Sequence, residues 1–315
     1  MRVTDALGCF GAASVFLFGS VLVPFLGPFL GLLAPLPFLY YASKLGLHEG
    51  LKVSCVSLVF LGLLSFLTGY WQILFLSIEF CFLGLIVSEM YRRGLTIGYT
   101  VLLGTASVLL LGFVALALMG WSRDMGPLEM VRAYILENVR EAAEVYRRVG
   151  GEDAAGGDFQ QYIKVVGDMI LKIYPGLLII GTGFVVWLNV LISRPLFRVT
   201  GITFPLFGPL ERWQAPERLV WGVIAAGFSL FLPVGGVQFL AVNALIVLLA
   251  VYVFQGLSIL IFFLIKYRIP LWVRVGIYSL ILFQQILLLG LALVGLFDQW
   301  IDFRRLNAGK AAPIG

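Results

Sequence analysis

Apolar runs long enough to cross a lipid bilayer follow one another along almost the whole chain, separated by short charged stretches. A spanning helix needs about 20 predominantly apolar residues. The runs that approach this length are 7–43, 51–67, 72–87, 96–120, 169–192, 219–233, 237–265 and 271–296. Only 12% of the residues are charged, whereas about a quarter of an ordinary soluble domain is charged. The sequence therefore predicts an all-α, polytopic transmembrane helix bundle.

The first run contains four prolines, in "VPFLGPFLGLLAPLP", and reads as two short or broken helices. Prolines of this kind free backbone carbonyls that a neighbour, water or a ligand must satisfy. Counting the run as two helices gives nine crossings, with eight as the alternative. We expect N-terminal transmembrane helices over 1–120, a loop over 121–166 and C-terminal transmembrane helices over 167–315, all in one bundle.

Lysine and arginine fall mainly in the loops of one side, which the positive-inside rule identifies as cytoplasmic. The predicted location is a cytoplasmic membrane. The net charge of +5 points to anionic lipid as a partner and not to nucleic acid, because the basic residues form no run. His48 is the only histidine, and the chain lacks a glycine-rich phosphate loop and a nucleophile with a base. We therefore expect no metal, no cofactor and no enzymatic activity.

The loop 121–166 carries apolar residues at three- and four-residue steps with charges between them. They are Leu128, Val131, Ile135, Val139, Ala142, Tyr146 and Val149. This spacing predicts an amphipathic helix with Pro127 in its first turn. On the extracytoplasmic side, such a helix would either rest on the outer leaflet or act as a lid over a central cavity.

Polar side chains inside membrane segments are candidates for ligand binding, because hydrocarbon offers them no partner. Glu79 is the clearest of them, and Asn189, Asn243 and Gln255 are the other candidates. The alternative for each is a structural hydrogen bond to a neighbouring helix.

The chain ends its last apolar run with "GLFDQWIDFRRL", residues 295–306. This ending, with "WLNVLISRPLFRVTG" and "VFQGLSILIFFLIKYRIPLW", resembles the YybS-like family of bacterial multi-pass membrane proteins, which contain a domain of unknown function. That family is similar at a distance to the substrate-binding membrane subunits of energy-coupling-factor vitamin transporters. The resemblance implies a helical membrane protein but carries no ligand-binding motif onto particular residues.

Two interpretations of the ending remain open. Its residues would either anchor the last helix at the interface or contact a partner or the neighbouring basic loop. They are Asp298, Trp300, Asp302, Arg304 and Arg305.

We therefore expect a membrane protein that binds or translocates a small or amphiphilic solute. The alternative is a scaffold or lipid-interacting protein that transports nothing. The expected partners are membrane lipids, a small-molecule solute and another membrane protein.

Overall fold

The computed structural model describes residues 2–121, 124–150, 157–202 and 208–304. All regular structure in these residues is helical, which confirms the predicted all-α class. The helices are α1 (Val3–Leu22), α2 (Gly27–Leu32), α3 (Leu36–Leu45), α4 (Leu47–Thr68), α5 (Gln72–Arg92), α6 (Ile97–Trp121), α7 (Pro127–Gly150), α8 (Gly157–Thr200), α9 (Leu219–Ser229), α10 (Gly235–Lys266), α11 (Leu271–Phe283) and α12 (Gln285–Ile301). A 3-10 turn covers Leu210–Arg212.

Six of the helices are long and apolar enough to span a membrane: α1, α4, α5, α6, the Gln161–Thr200 part of α8, and α10. Counting α11 and α12 together as one span gives a seventh. At most 44% of the residues in the most apolar stretch of any of the six are buried, and in α6 the share is 17%. Large apolar side chains therefore cover the outside of the helices, as expected of a protein whose solvent is hydrocarbon.

The proline-containing first run breaks as predicted. α1 ends at Leu22, and the chain then passes through Phe25, whose φ of 62° is in the left-handed region. The short helix α2 follows, and α3 begins after Pro35.

The last apolar run differs from its prediction as a single crossing over 271–296. It divides at Gln284, where the chain is extended and the axes of α11 and α12 differ by 103°. The difference follows from packing, because α12 lies tightly against α10 whereas α11 buries none of its residues. No proline or glycine marks this break in the sequence.

The amphipathic helix predicted in the loop 121–166 is confirmed as α7. It packs against the start of α8, with Leu136 and Val139 beside Gly167. The rings of Tyr146 and Phe159 stack with their centroids 5.4 Å apart. The second part of the predicted loop is therefore the first part of α8, whose 44 residues make it far longer than a bilayer crossing.

The chain forms two compact units. The first comprises the described residues of Met1–Tyr134 and Gly181–Phe207, and the second those of Ile135–Ile180 and Gly208–Gly315. In the first unit, one apolar cluster joins α1, α3, α4 and α5, and a second joins α3, α5, α6 and α8. In the second unit, α10 is the central helix and packs against both α9 and α12.

Candidate functional site

Glu79 lies in the first unit, in the middle of α5, and its side chain is half-buried. It makes no hydrogen bond or ion pair with any residue that the structure describes. Phe75 and Leu76, one turn earlier on the helix, are exposed. Glu79 therefore lies at the border between the packed and the outward surface of α5, with both carboxylate oxygens available.

Asn189 connects α8 to the end of the broken helix α2. Its side-chain nitrogen Nδ2 donates to the carbonyl oxygens of Leu32 and Val185, both at 2.8 Å. The Leu32 carbonyl is left free because Pro35 has no N–H to donate and the N–H of Leu36 bonds to Leu33. The residue is 1% exposed, and its Oδ1 has no partner among the described residues.

Asn243 of α10 likewise bonds to backbone groups beside a proline, here Pro175 of α8. Its Nδ2 donates to the Lys172 carbonyl at 2.8 Å, and its Oδ1 accepts from the Gly176 N–H at 2.7 Å. These two backbone groups flank Pro175 of α8 and would normally bond to each other within a helix. The side-chain amide therefore bridges the backbone at the position where the proline disturbs it.

Gln255 of α10 holds the loop before α9. Its Oε1 accepts from the Ala215 N–H at 3.1 Å, directly before Pro216. Its Nε2 donates to the carboxylate of Asp298 at 3.0 Å. The residue is 1% exposed, so these bonds form away from solvent.

Asp298 and Arg304 form an ion pair in which both side chains have no exposed surface, with Nη2 and Oδ2 2.9 Å apart. Nη1 of Arg304 donates to the carbonyl oxygens of Glu211 and Trp213 and to the hydroxyl of Ser258. A buried ion pair depends on further hydrogen bonds to its remaining groups. Here the loop backbone and Ser258 of α10 supply them for Nη1, whereas Nε of Arg304 is buried and has no partner among the described residues.

The chain turns back sharply at Asp302, which has a φ of 44° and ends α12. Oδ1 of Asp298 accepts from the N–H of Phe303 at 2.9 Å, and this bond fixes the turn that carries Arg304 back into the fold. Trp300 points outward and is 61% exposed. Arg305 lies outside the described residues.

Two features of this network were not predicted. Gln299 donates to the Ala215 carbonyl and to Oε1 of Gln255, both at 3.2 Å. Gly256 and Gly295 let α10 and α12 touch, because a Cβ on either would overlap a backbone carbonyl of the other helix. The glycines are frequent in this chain, so their spacing alone did not single out this pair.

The structure thus brings Gln255 together with Asp298 and Arg304, and Asn189 together with the end of α2. Glu79 and Asn189 belong to the first unit, and Asn243 and Gln255 to the second. The assignment of these four residues to a ligand site stays a prediction.

Comparison with known proteins gives the chain its family. Residues 11–299 match a family described as "Predicted membrane protein (DUF2232)". The chain is also 21% identical over 293 residues to "Uncharacterized protein YybS" of Bacillus subtilis (strain 168), covering 90% of this chain and 91% of that protein. No solved structure matches the chain. The predicted resemblance to YybS-like proteins is confirmed, and this multi-pass membrane protein belongs to the DUF2232 family.

Proposed function

We propose that this protein binds or translocates a small or amphiphilic solute through its first unit, with Glu79 as the principal contact. A carboxyl group at this position selects for a solute with a cationic or hydrogen-bond-donating part. The protein would bind this solute without transforming it.

The observation that carries the proposal is the difference between Glu79 and the other three candidates. Asn189, Asn243 and Gln255 each bond to backbone beside a proline break. Glu79 bonds to no described residue although it lies in the middle of a membrane span. A carboxyl group without a partner costs free energy in that environment. Such a residue is therefore a candidate for binding a ligand.

Asn189 contributes to the proposed site through its Oδ1 atom, which is buried and has no described partner. A ligand donor reaching that atom would complete its hydrogen bonding. We assign Asn243 and Gln255 to positioning their helices, because their amide groups are already engaged.

We further propose eight or nine crossings of the bacterial cytoplasmic membrane, with α7 on the extracytoplasmic side. This count adds the broken pair α2 and α3, the 11-residue helix α9, and the bent pair to the six longest spans. The distribution of lysine and arginine supports the orientation, and the bacterial origin of YybS supports the membrane.

A second candidate function is a membrane scaffold or lipid-interacting protein that transports nothing. The observation in its favour is the number of polar side chains that hold backbone in place: Asn189, Asn243, Gln255, Asp298 and Arg304. Under this alternative, Glu79 would contact another membrane protein.

The test is a thermal-stability screen of the detergent-solubilised protein against a panel of metabolites and lipids. A ligand that binds only the folded state raises the apparent melting temperature by mass action. The panel includes vitamins, because the similarity to energy-coupling-factor subunits stays a prediction. We expect one solute class to stabilise the wild type and Glu79→Gln to lose that stabilisation.

Glu89→Gln is the matched control, since Glu89 lies on the same helix but is paired with Arg93 at 3.0 Å. The control should keep the stabilisation by solute. If Glu79→Gln kept it fully, Glu79 would not be the contact. If only lipids stabilised the wild type, the scaffold alternative would replace the proposal.

A further inference from the structure

The turn between α10 and α11 concentrates positive charge in a region without acids. Lys266, Arg268 and Arg274 are the only charged residues between Arg218 and Asp298. None of the three forms an ion pair with a described residue. Within the described part of the chain, this charge therefore has no counter-ion.

Aromatic and apolar side chains surround these bases. Lys266 lies over the rings of Phe262, Phe263 and Tyr267, at 5.8–6.0 Å from their centroids. Trp272, the second residue of α11, is 77% exposed. Bases mixed with exposed tryptophan and tyrosine are characteristic of the boundary between hydrocarbon and headgroups.

The bases have different structural roles. Arg274 closes the turn by donating to the carbonyl oxygens of Ile269 at 2.7 Å and Leu264 at 3.2 Å. Arg268 is exposed and makes no side-chain hydrogen bond with a described residue. Its guanidinium group is therefore available to an external anion.

Arg268 also occupies a backbone position that favours glycine. Its φ is 50°, in the left-handed region, directly after the end of α10. Helices commonly end in this conformation, and glycine adopts it without the steric cost that an arginine incurs. The presence of an arginine at this position in spite of that cost indicates that its side chain has a functional role.

The direction of α11 relative to α10 follows from the contacts of α12. The contacts of Gly256 with Leu291 and of Gly295 with Tyr252 show that α12 runs antiparallel to α10. The same register puts the start of α12 beside residue 262, one turn before Lys266. Because α11 is turned by 103° from α12, it runs crosswise to the membrane-spanning helix α10.

We propose that the turn 266–274 is a binding site for the phosphate headgroup of anionic phospholipids, with α11 lying in the plane of the bilayer interface beside it. Arg268 and Lys266 contact the phosphate, and the exposed apolar side chains of α11 sit among the acyl chains. The site is independent of the proposed solute site at Glu79, which belongs to the other unit.

Native mass spectrometry of the full-length protein in neutral detergent tests this site. The protein is titrated with phosphatidylglycerol and, separately, with phosphatidylcholine. We expect the wild type to prefer phosphatidylglycerol, and Lys266→Gln with Arg268→Gly to weaken its binding roughly thirtyfold, from the loss of two charges near the headgroups. Added salt should weaken the preference of the wild type as well.

Two control variants distinguish a loss of lipid binding from misfolding and from a general loss of positive charge. Arg268→Gly alone should leave the melting temperature in neutral detergent unchanged or slightly raised, since glycine suits the left-handed position. Arg212→Gln with Arg218→Gln removes the same charge from exposed positions elsewhere in the second unit and should keep the preference.

Three outcomes would overturn the proposal. The first is an unchanged preference in the Lys266→Gln, Arg268→Gly variant. The second is equal competition by inorganic phosphate at millimolar concentration, which would show an ion site with no requirement for lipid. The third is a wild type that shows no lipid preference and is a dimer, together with a variant that is a monomer, which would show that a second copy of the chain covers this surface.

Discussion

Asp298 and Glu79 are carboxyl groups in apolar helices, and their surroundings are opposite. Asp298 is fully buried and bonds to Gln255, Arg304 and the N–H of Phe303. Glu79 is half-buried and bonds to no described residue. Asp298 has its counter-charge and its donors within the fold, so its role is structural. Glu79 has neither among the residues that the structure describes, so its carboxyl group is available to a further partner.

The same contrast separates the asparagines. Asn243 uses both atoms of its amide on the backbone around Pro175. Asn189 bonds to the backbone only through Nδ2, and its buried Oδ1 has no hydrogen-bond partner among the described residues. A polar residue in a membrane helix is therefore informative about function only after its backbone bonds have been assigned.

The largest effect is expected from Arg304→Met, which removes the cation and leaves Asp298 buried without its counter-charge. The free energy of unfolding should fall by about 3–5 kcal/mol, the usual cost of breaking a buried pair. Denaturant titration in detergent measures it. The double variant with Asp298→Asn should recover part of the loss, and a double variant no more stable than Arg304→Met would show that the pair is not coupled.

The next effect concerns the contact between α10 and α12. Gly295→Ala places a methyl group against the Tyr252 carbonyl and should cost about 1–3 kcal/mol, as overpacking typically does. Gly290→Ala in the same helix is the control, because a Cβ there meets nothing within 4 Å. Equal melting temperatures for the two variants would contradict the packing of α12 on α10.

Asn243→Leu should also destabilise the protein, by about 1–3 kcal/mol, because the Lys172 carbonyl and Gly176 N–H lose their partner. The loss should be smaller in a Pro175→Ala background, since a helix without the proline can close its own hydrogen bonds. A thermodynamic cycle of the four proteins measures this coupling. Strict additivity would exclude a role for Asn243 at the proline.

The smallest effect on stability is expected from Glu79→Gln. Without added solute, its free energy of unfolding should differ from wild type by less than about 0.5 kcal/mol, as for a surface site. A loss as large as that of Arg304→Met would mean that Glu79 is paired within the fold.

The sequence predicted the helices well and their contacts poorly. The length of the apolar runs located most of the helices, and the three- and four-residue spacing with Pro127 located α7, because both signals are local. The break at Gln284 was missed, since it arises from the packing of α12 on α10 and carries no proline or glycine.

The site residues show the same limit. Their position inside apolar runs predicted that Asn189, Asn243 and Gln255 are buried polar residues, and the structure confirms that they are buried. Their partners, such as Leu32 for Asn189, lie far away in sequence. Backbone breaks at prolines were visible in the sequence, but which amide serves which break depends on tertiary contacts.

Water access to Glu79 tests the central claim most directly. Glu79→Cys and Leu76→Cys are compared in a protein with Cys9, Cys55 and Cys81 replaced by alanine, using a membrane-impermeant maleimide on protein in vesicles. The reaction requires a thiolate and hence water. We predict that the thiol at position 79 reacts and is protected by the stabilising solute, whereas the thiol at the exposed position 76 faces lipid and does not react. An unreactive thiol at position 79, or equal reaction at both positions, would contradict the account.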